Sequence, residues 1–243
     1  MEVEEELWLG IDREKLRAKC ADLASTRSGL LAVHGDDSMG IIEAARIAIA
    51  IFKNMGWQTH HVPDAGANGL STFRFLLEHV SQWAMDQSAA PTRGLSVRAS
   101  SVSLSLERFT ELTTELLRPL AKSPGLAVIV TAFGRSDAPS RLDLEGLAKL
   151  AHAVGGCWVV MGHSGKSWQA FSSDAALELR RFTKHEVAAS LRAIVRERGG
   201  NPAGVDQYMQ KFGLDDEKVI PMLAYAHLKL LTHVPLQNHG ELL

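Results

Sequence analysis

Two spacings of apolar residues alternate along the chain, and their order predicts its elements. Short, nearly continuous apolar runs at Gly29–Gly35, Leu126–Phe133 and Cys157–Met161 predict strands buried on both faces, as in a parallel sheet. Trp57–Val62, aromatic and β-branched, predicts a further strand, and the alternation of Leu177–Phe182 an edge strand. Between these runs the period lengthens to that of a helix. Leu16, Cys20 and Leu23 share one face of a helix over 13–24, which Asp12 is placed to cap and Thr26–Gly29 breaks. Ile41 to Met55 is apolar on almost every side, Ile41 and Ile42 included, and predicts a buried helix ended by Gly56. Residues 71–86 place Phe73, Leu76, Leu77 and Val80 on one face. Leu106, Phe109, Leu112, Leu116 and Leu117 mark a helix that Pro119 and Pro124 close. Ser140 and Asp143 open another, carrying Leu144, Leu147, Leu150, Ala151 and Val154 before a Gly155-Gly156 stop. Asp64–Gly69, Ala89–Ser103 and Gly162–Ser167 are rich in turn formers and predict loops.

Beyond residue 182 the strands cease. Thr183 and Glu186 form a capping box, with Phe182 and Val187 as its hydrophobic staple. Val187, Leu191, Ile194 and Val195 give that helix its buried face, and Gly199-Gly200 ends it. Two more helices, 202–212 and 216–231, are expected with no strand between them. Strands alternating with helices and then a run of helices predict a three-layer α/β core over 1–182, with a parallel sheet, and a C-terminal helical lid over 183–243.

Composition changes this picture little. Hydrophobic residues at 46% and charged residues at 22% suit a soluble domain with a sizeable core. A formal charge of -2 gives no general attraction to nucleic acid or anionic membrane, so neither is expected as a partner. The opening MEVEEELW is acidic where a signal peptide is basic, and no apolar run approaches the ~18 residues that span a bilayer, so a cytoplasmic location is expected. Cys20 and Cys157 match no zinc or CxxC spacing and are expected as buried, reduced thiols.

The strand, loop and helix around Gly35-Asp36-Asp37-Ser38-Met39-Gly40 have the order and the G-x-x-x-x-G spacing of a phosphate-binding loop. The Lys and Ser/Thr that should follow are Ile41 and Ile42. The first would neutralise phosphate charge and the second would hold Mg²⁺. Asp36 and Asp37 add like charge, each disfavouring an anion by about 1 kcal/mol in a solvated loop. The second catalytic strand, Leu126–Phe133, should end in an acid that positions the metal and the attacking water. It holds none, and the first carboxylate downstream is Asp137. Two catalytic parts are missing together, so no catalytic residue and no metal ligand is expected, and ATP or ADP would bind weakly if at all.

A GKS lies elsewhere, in Val160-Met-Gly-His-Ser-Gly-Lys-Ser167, with Val160 where the first glycine of the motif belongs. Too little chain follows it for the remaining parallel strands, and Trp168–Asp174 lacks a long helical pattern, so it predicts a loop at a strand end in which His163 and Lys166 can meet a phosphate. Trp158 and Trp168 are expected as core or loop anchors, and His34 as a packed strand histidine. His60 and His61 alternate in direction and do not converge on one metal. Arg180 and Arg181 are expected on a solvated strand face. A hydrolase built on Ser38, His163 and Asp137, or on Ser164, finds no nucleophile elbow.

The order of elements resembles that of the STAND branch of AAA-like P-loop NTPases. Trp8-Leu-Gly-Ile-Asp-Arg-Glu-Lys-Leu16 is similar to that family's N-terminal motif, matching at Gly10, Arg13, Glu14 and Leu16 with an extra Ile-Asp before Arg13. By the same resemblance Leu126–Phe133 is the Walker B strand, Cys157–Ser164 the sensor-1 strand with His163 at its polar position, and Phe182-Thr183 with Glu186-Val187 the start of the lid. With its catalytic motifs missing, the chain resembles the inactive STAND-like domains of bacterial conflict and signalling systems. The resemblance implies a regulatory or scaffolding module that binds a protein partner or effector and can self-assemble. The alternative is a nucleotide-binding switch without efficient hydrolysis.

Overall fold

The computed structural model describes residues 11–35, 40–63, 72–87, 105–122, 125–133, 141–163, 168, 176–215, 218–219 and 221–233. The Asp64–Gly69 and Ala89–Ser103 loops therefore lie outside the described residues. The chain divides into two compact units: residues 16–35 with 41–178, and residues 1–15 and 36–40 with 179–243.

The first unit is a sheet flanked by helices. Its strands are β1 (Ser28–Gly35), β2 (Gln58–Val62), β3 (Leu126–Phe133), β4 (Gly156–His163) and β5 (Ala176–Leu179), arranged in the order β2-β3-β4-β1-β5. β1 with β4, β4 with β3, and β3 with β2 pair in parallel. Parallel strands need crossovers, and the helices supply them. These are α1 (Ile11–Thr26), α2 (Ile41–Asn54), α3 (Thr72–Gln87), α4 (Leu106–Lys122) and α5 (Arg141–Val154).

Side-chain alternation separates the two faces of the sheet. Ala32, Val128, Val130, Trp158 and Val160 join one core cluster with Phe73, Leu76 and Val80 of α3, Phe109 and Leu117 of α4, and Leu144, Leu147 and Leu150 of α5. The intervening residues Leu31, Val33, Ala127, Ile129, Cys157 and Val159 are equally buried and face the other way. On that side the Cys157 thiol donates to the Leu23 carbonyl of α1 at 3.0 Å. The result is the three-layer α/β fold with a parallel core that the apolar pattern predicts.

Several local expectations change. Pro119 does not close its helix; α4 runs through it to Lys122. The proline sits on an exposed position, while Leu120 and Ala121 beyond it pack against the core, so burial outweighs the one lost backbone bond. Strand β4 extends past Met161 to His163 because its ladder with β1 continues, pairing His34 with Gly162 and Gly35 with His163. Ile42 is not buried: α2 turns Ala44, Ala45, Ile47, Ala48 and Phe52 inward and leaves Ile42 60% exposed.

The second unit contains β6 (Phe182–Thr183), α6 (Lys184–Glu197), a 3₁₀ turn (Pro202–Gly204), α7 (Val205–Lys211), β7 (Lys218–Val219) and α8 (Pro221–His233). The predicted capping box is present. The Thr183 N–H donates to Glu186 Oε2 at 2.7 Å and the Glu186 N–H to Thr183 Oγ1 at 3.3 Å. Phe182, Val187, Leu191, Val195, Val205, Tyr208, Met209, Leu228 and Leu231 make its core. A strand does interrupt the helical run: Lys218-Val219 pairs antiparallel with Phe182-Thr183, and α8 starts after it at Pro221. Among the described residues no helix is long and apolar enough to cross a membrane.

Candidate functional site

The candidate phosphate loop starts where β1 ends, at the buried Gly35. Asp36, Asp37, Ser38 and Met39 lie outside the described residues. Gly40 is buried with φ +79°, a left-handed conformation that glycine adopts without strain, and α2 begins at the next residue. Strand, loop and helix are therefore consecutive, and the first backbone N–H groups of α2 come directly after the loop. Ile41 is half-buried and Ile42 exposed, and neither of the two positions that carry the cation and the metal-binding hydroxyl in an active loop offers a polar side-chain atom.

β3 lies two strands from β1. Its one polar residue, Thr131, bonds to its neighbour β2: the hydroxyl lies 2.8 Å from His61 Nε2 and donates to the Val62 carbonyl at 3.4 Å. Asp137 lies outside the described residues. No carboxylate occurs within Leu126–Phe133 itself.

β4 is the strand that stands beside β1. Gly35 and His163 are register partners, so β1 and β4 end side by side. Ser164 and Lys166 lie outside the described residues. Trp168 is buried, donates from Nε1 to the His163 carbonyl at 2.6 Å, and stacks on His34 of β1 at 5.6 Å with planes 21° apart. Trp168 and His34 thus behave as packed anchors, as expected.

Arg180 is solvent-exposed, as expected, and already carries an ion pair. Its Nε donates to Asp12 Oδ2 at 2.7 Å and its backbone N–H to the same oxygen at 3.1 Å. Asp12 is therefore not the cap of α1; it lies inside the helix and is spent on Arg180. Next to it the Arg13 guanidinium, 1% exposed, lies 4.4 Å from the Phe182 ring and donates to the Arg180 carbonyl at 2.7 Å. Burial lowers its pKa to about 10, opposed by the negative charges of Asp12 and Glu186, so it stays protonated at neutral pH. Arg13, one of the residues matched to the STAND motif, belongs to this buried cluster with the start of the helical segment. Gly10 lies outside the described residues.

The histidine cluster was only half legible. His60 and His61 diverge as strand alternation requires, His61 to Thr131 and His60 to His79 of α3, with His60 Nε2 3.1 Å from His79 Nδ1. The signal that would have found His79 is helical: Phe75, His79 and Trp83 fall at i, i+4 and i+8 and share a face.

No family model matches the sequence, and no curated protein matches it. Solved structures do. A chain of Drosophila ORC bound to DNA aligns with a TM-score of 0.50 and 14% identity, over 85% of this chain and 58% of its own length. A chain of the E. coli MS115-1 HORMA:CdnC:Trip13 complex aligns at 0.50 and 13% identity, over 97% of this chain and 93% of its own. A signal transduction ATPase with numerous domains (STAND) from Pyrococcus horikoshii, with a tetratricopeptide repeat sensor, aligns at 0.49 and 13% identity, over 86% of this chain and 31% of its own. This chain therefore spans little more than half of the ORC chain and a third of the STAND protein. At such identities the first two likenesses show the fold alone. Together with the strand order they define a P-loop NTPase-like α/β domain.

Proposed function

We propose that this chain is a STAND/AAA-like P-loop domain that has lost hydrolysis and acts as a regulatory or scaffolding module, binding a protein partner or effector. The observation that carries this is the start of α2. After Gly40 the chain presents Ile41 and an exposed Ile42 where an active domain needs Lys and Ser/Thr, so neither the β/γ-phosphates nor Mg²⁺ finds its partner. The acid-free β3 supports the same conclusion independently. A nucleotide-independent P-loop fold keeps its surfaces, and protein binding is what remains for it to do.

The test is calorimetry with ATP and ADP in the presence of Mg²⁺, together with phosphate release followed over hours. Turnover well above buffer background that Lys166→Ala leaves intact would sink the proposal.

One observation favours a second reading, a nucleotide-binding switch without efficient hydrolysis. Gly35 and His163 are paired across β1 and β4, so the strands that precede the two glycine-bearing segments in the sequence end side by side. In this reading Lys166 supplies the cation that Ile41 does not. Tight ATP or ADP binding abolished by Lys166→Ala supports it; no binding at millimolar nucleotide excludes it.

A further inference from the structure

The outer strand of the sheet carries chemistry that the phosphate-loop region does not use. We propose that His60 and His79 form a two-nitrogen site for a divalent transition metal ion, Zn²⁺ or Ni²⁺, with solvent or an incoming ligand filling the remaining positions. Both residues belong to the same compact unit.

The geometry suits this. His60 Nε2 and His79 Nδ1 lie 3.1 Å apart. Two nitrogens at that separation, each about 2.0–2.1 Å from an ion, subtend roughly 100° at it, between the right angle of square or octahedral sites and the tetrahedral angle. Imidazole is a preferred ligand of both ions.

The rings are also held ready. His60 stacks on Trp83 with centroids 4.5 Å apart and planes 18° apart, and His79 packs against Phe75 at 5.7 Å.

In the metal-free protein one ring donates its N–H to the other across the gap. On binding, that proton moves to the far nitrogen of the same ring, and the rings turn so that each lone pair swings from the line between the nitrogens toward an ion lying about 40° off it. No net proton is released by the pair. His61 cannot join, because its Nε2 is directed at Thr131. Among the described residues no group of three or more His, Cys, Asp or Glu is placed to hold an ion. The site therefore offers two protein ligands and open positions. Both rings are only half-buried, which leaves solvent a route in.

The experiment is a calorimetric titration of the chelator-stripped full chain with Zn²⁺ alone at pH 7.5. One saturable site is expected, weakened at least about tenfold by His60→Gln and by His79→Gln, and unchanged by His61→Gln. Absence of saturable binding, or a site that survives both the His60 and the His79 substitution, overturns the proposal. Should either variant fail to fold by circular dichroism, the wild-type chain decides. Substoichiometric Ni²⁺ should broaden the imidazole proton resonances of His60 and His79 before those of the other histidines; any other order overturns it.

Discussion

The turn between α5 and β4 offers a controlled pair of substitutions. Gly155 and Gly156 are adjacent and both left-handed, with φ +81° and +77°. Replacing either by alanine forces an L-residue into a conformation that costs it roughly 1–2 kcal/mol, while the entropy removed from the unfolded chain is the same in both cases. The two sites differ in what a new methyl group meets. At Gly155 it meets nothing within 4 Å. At Gly156 it lies 2.7 Å from the Leu126 carbonyl oxygen and 3.3 Å from Leu126 Cβ, one residue before the β3–β4 ladder starts at Ala127 with Cys157. Backbone cannot swing aside as a side-chain tip can, so β3 and β4 must part slightly, an overpacking cost of about 1–3 kcal/mol.

The expectation is thus a loss of roughly 1–2 kcal/mol for Gly155→Ala and about 2–5 kcal/mol for Gly156→Ala. Urea unfolding of both variants and the wild type at 25 °C, with matched m-values, gives the difference directly. Equal losses within about 0.5 kcal/mol, or a larger loss at Gly155, would refute the claim that contact with β3, rather than backbone conformation alone, makes Gly156 necessary.

Two further outcomes follow from local features. Thr183→Ala removes the side-chain half of the capping box, the Oγ1 that accepts the Glu186 N–H, and leaves the Thr183 N–H to Glu186 in place; it should destabilise the helical unit by about 1 kcal/mol, read as a lower urea midpoint, with Thr183→Ser retaining most of the wild-type value. Burial raises both cysteine thiols from 9.0 to about 12, so neither should react with a disulfide reagent at pH 8 until the protein is unfolded. The same shifts favour the neutral thiols in the folded state. Their contribution to stability is complete below pH 9 and is lost as pH rises from 9 toward 12. Labelling of either thiol in the native protein as fast as in denaturant would contradict this.

The fold was legible where a single physical cause dominated. A strand buried on both faces has nothing polar to conceal, and Leu126–Phe133 was delimited from its apolar run to the residue. The capping box was legible because both its hydrogen bonds are local. What escaped depends on partners far along the chain. Asp12 has the composition of a cap, and its actual partner, Arg180, is 168 positions away. Lys218-Val219 is too short to show any period and becomes a strand only because Phe182-Thr183 lies beside it. Pro119 was read by its intrinsic preference, which the packing of Leu120 and Ala121 overrides. The candidate site divides the same way. Gly35, Gly40 and the two isoleucines were legible as a consecutive motif, whereas the neighbourhood of Gly35 and His163 exists only through the crossing of β1 and β4.

The two ladders that β4 makes differ, and the difference is mechanical. Against β1 it pairs without a gap from Ser28 with Gly156 to Gly35 with His163. Against β3 the register slips between Val130 and Phe133. A tug on the segment after β4 is therefore carried by an unbroken ladder into β1, while on the β3 side the ladder is interrupted after Val130 and resumes at Phe133 with Gly162. Whatever grips the chain beyond His163 pulls on Gly35 through a continuous ladder, and on β3 chiefly through the one pair of Phe133 with Gly162.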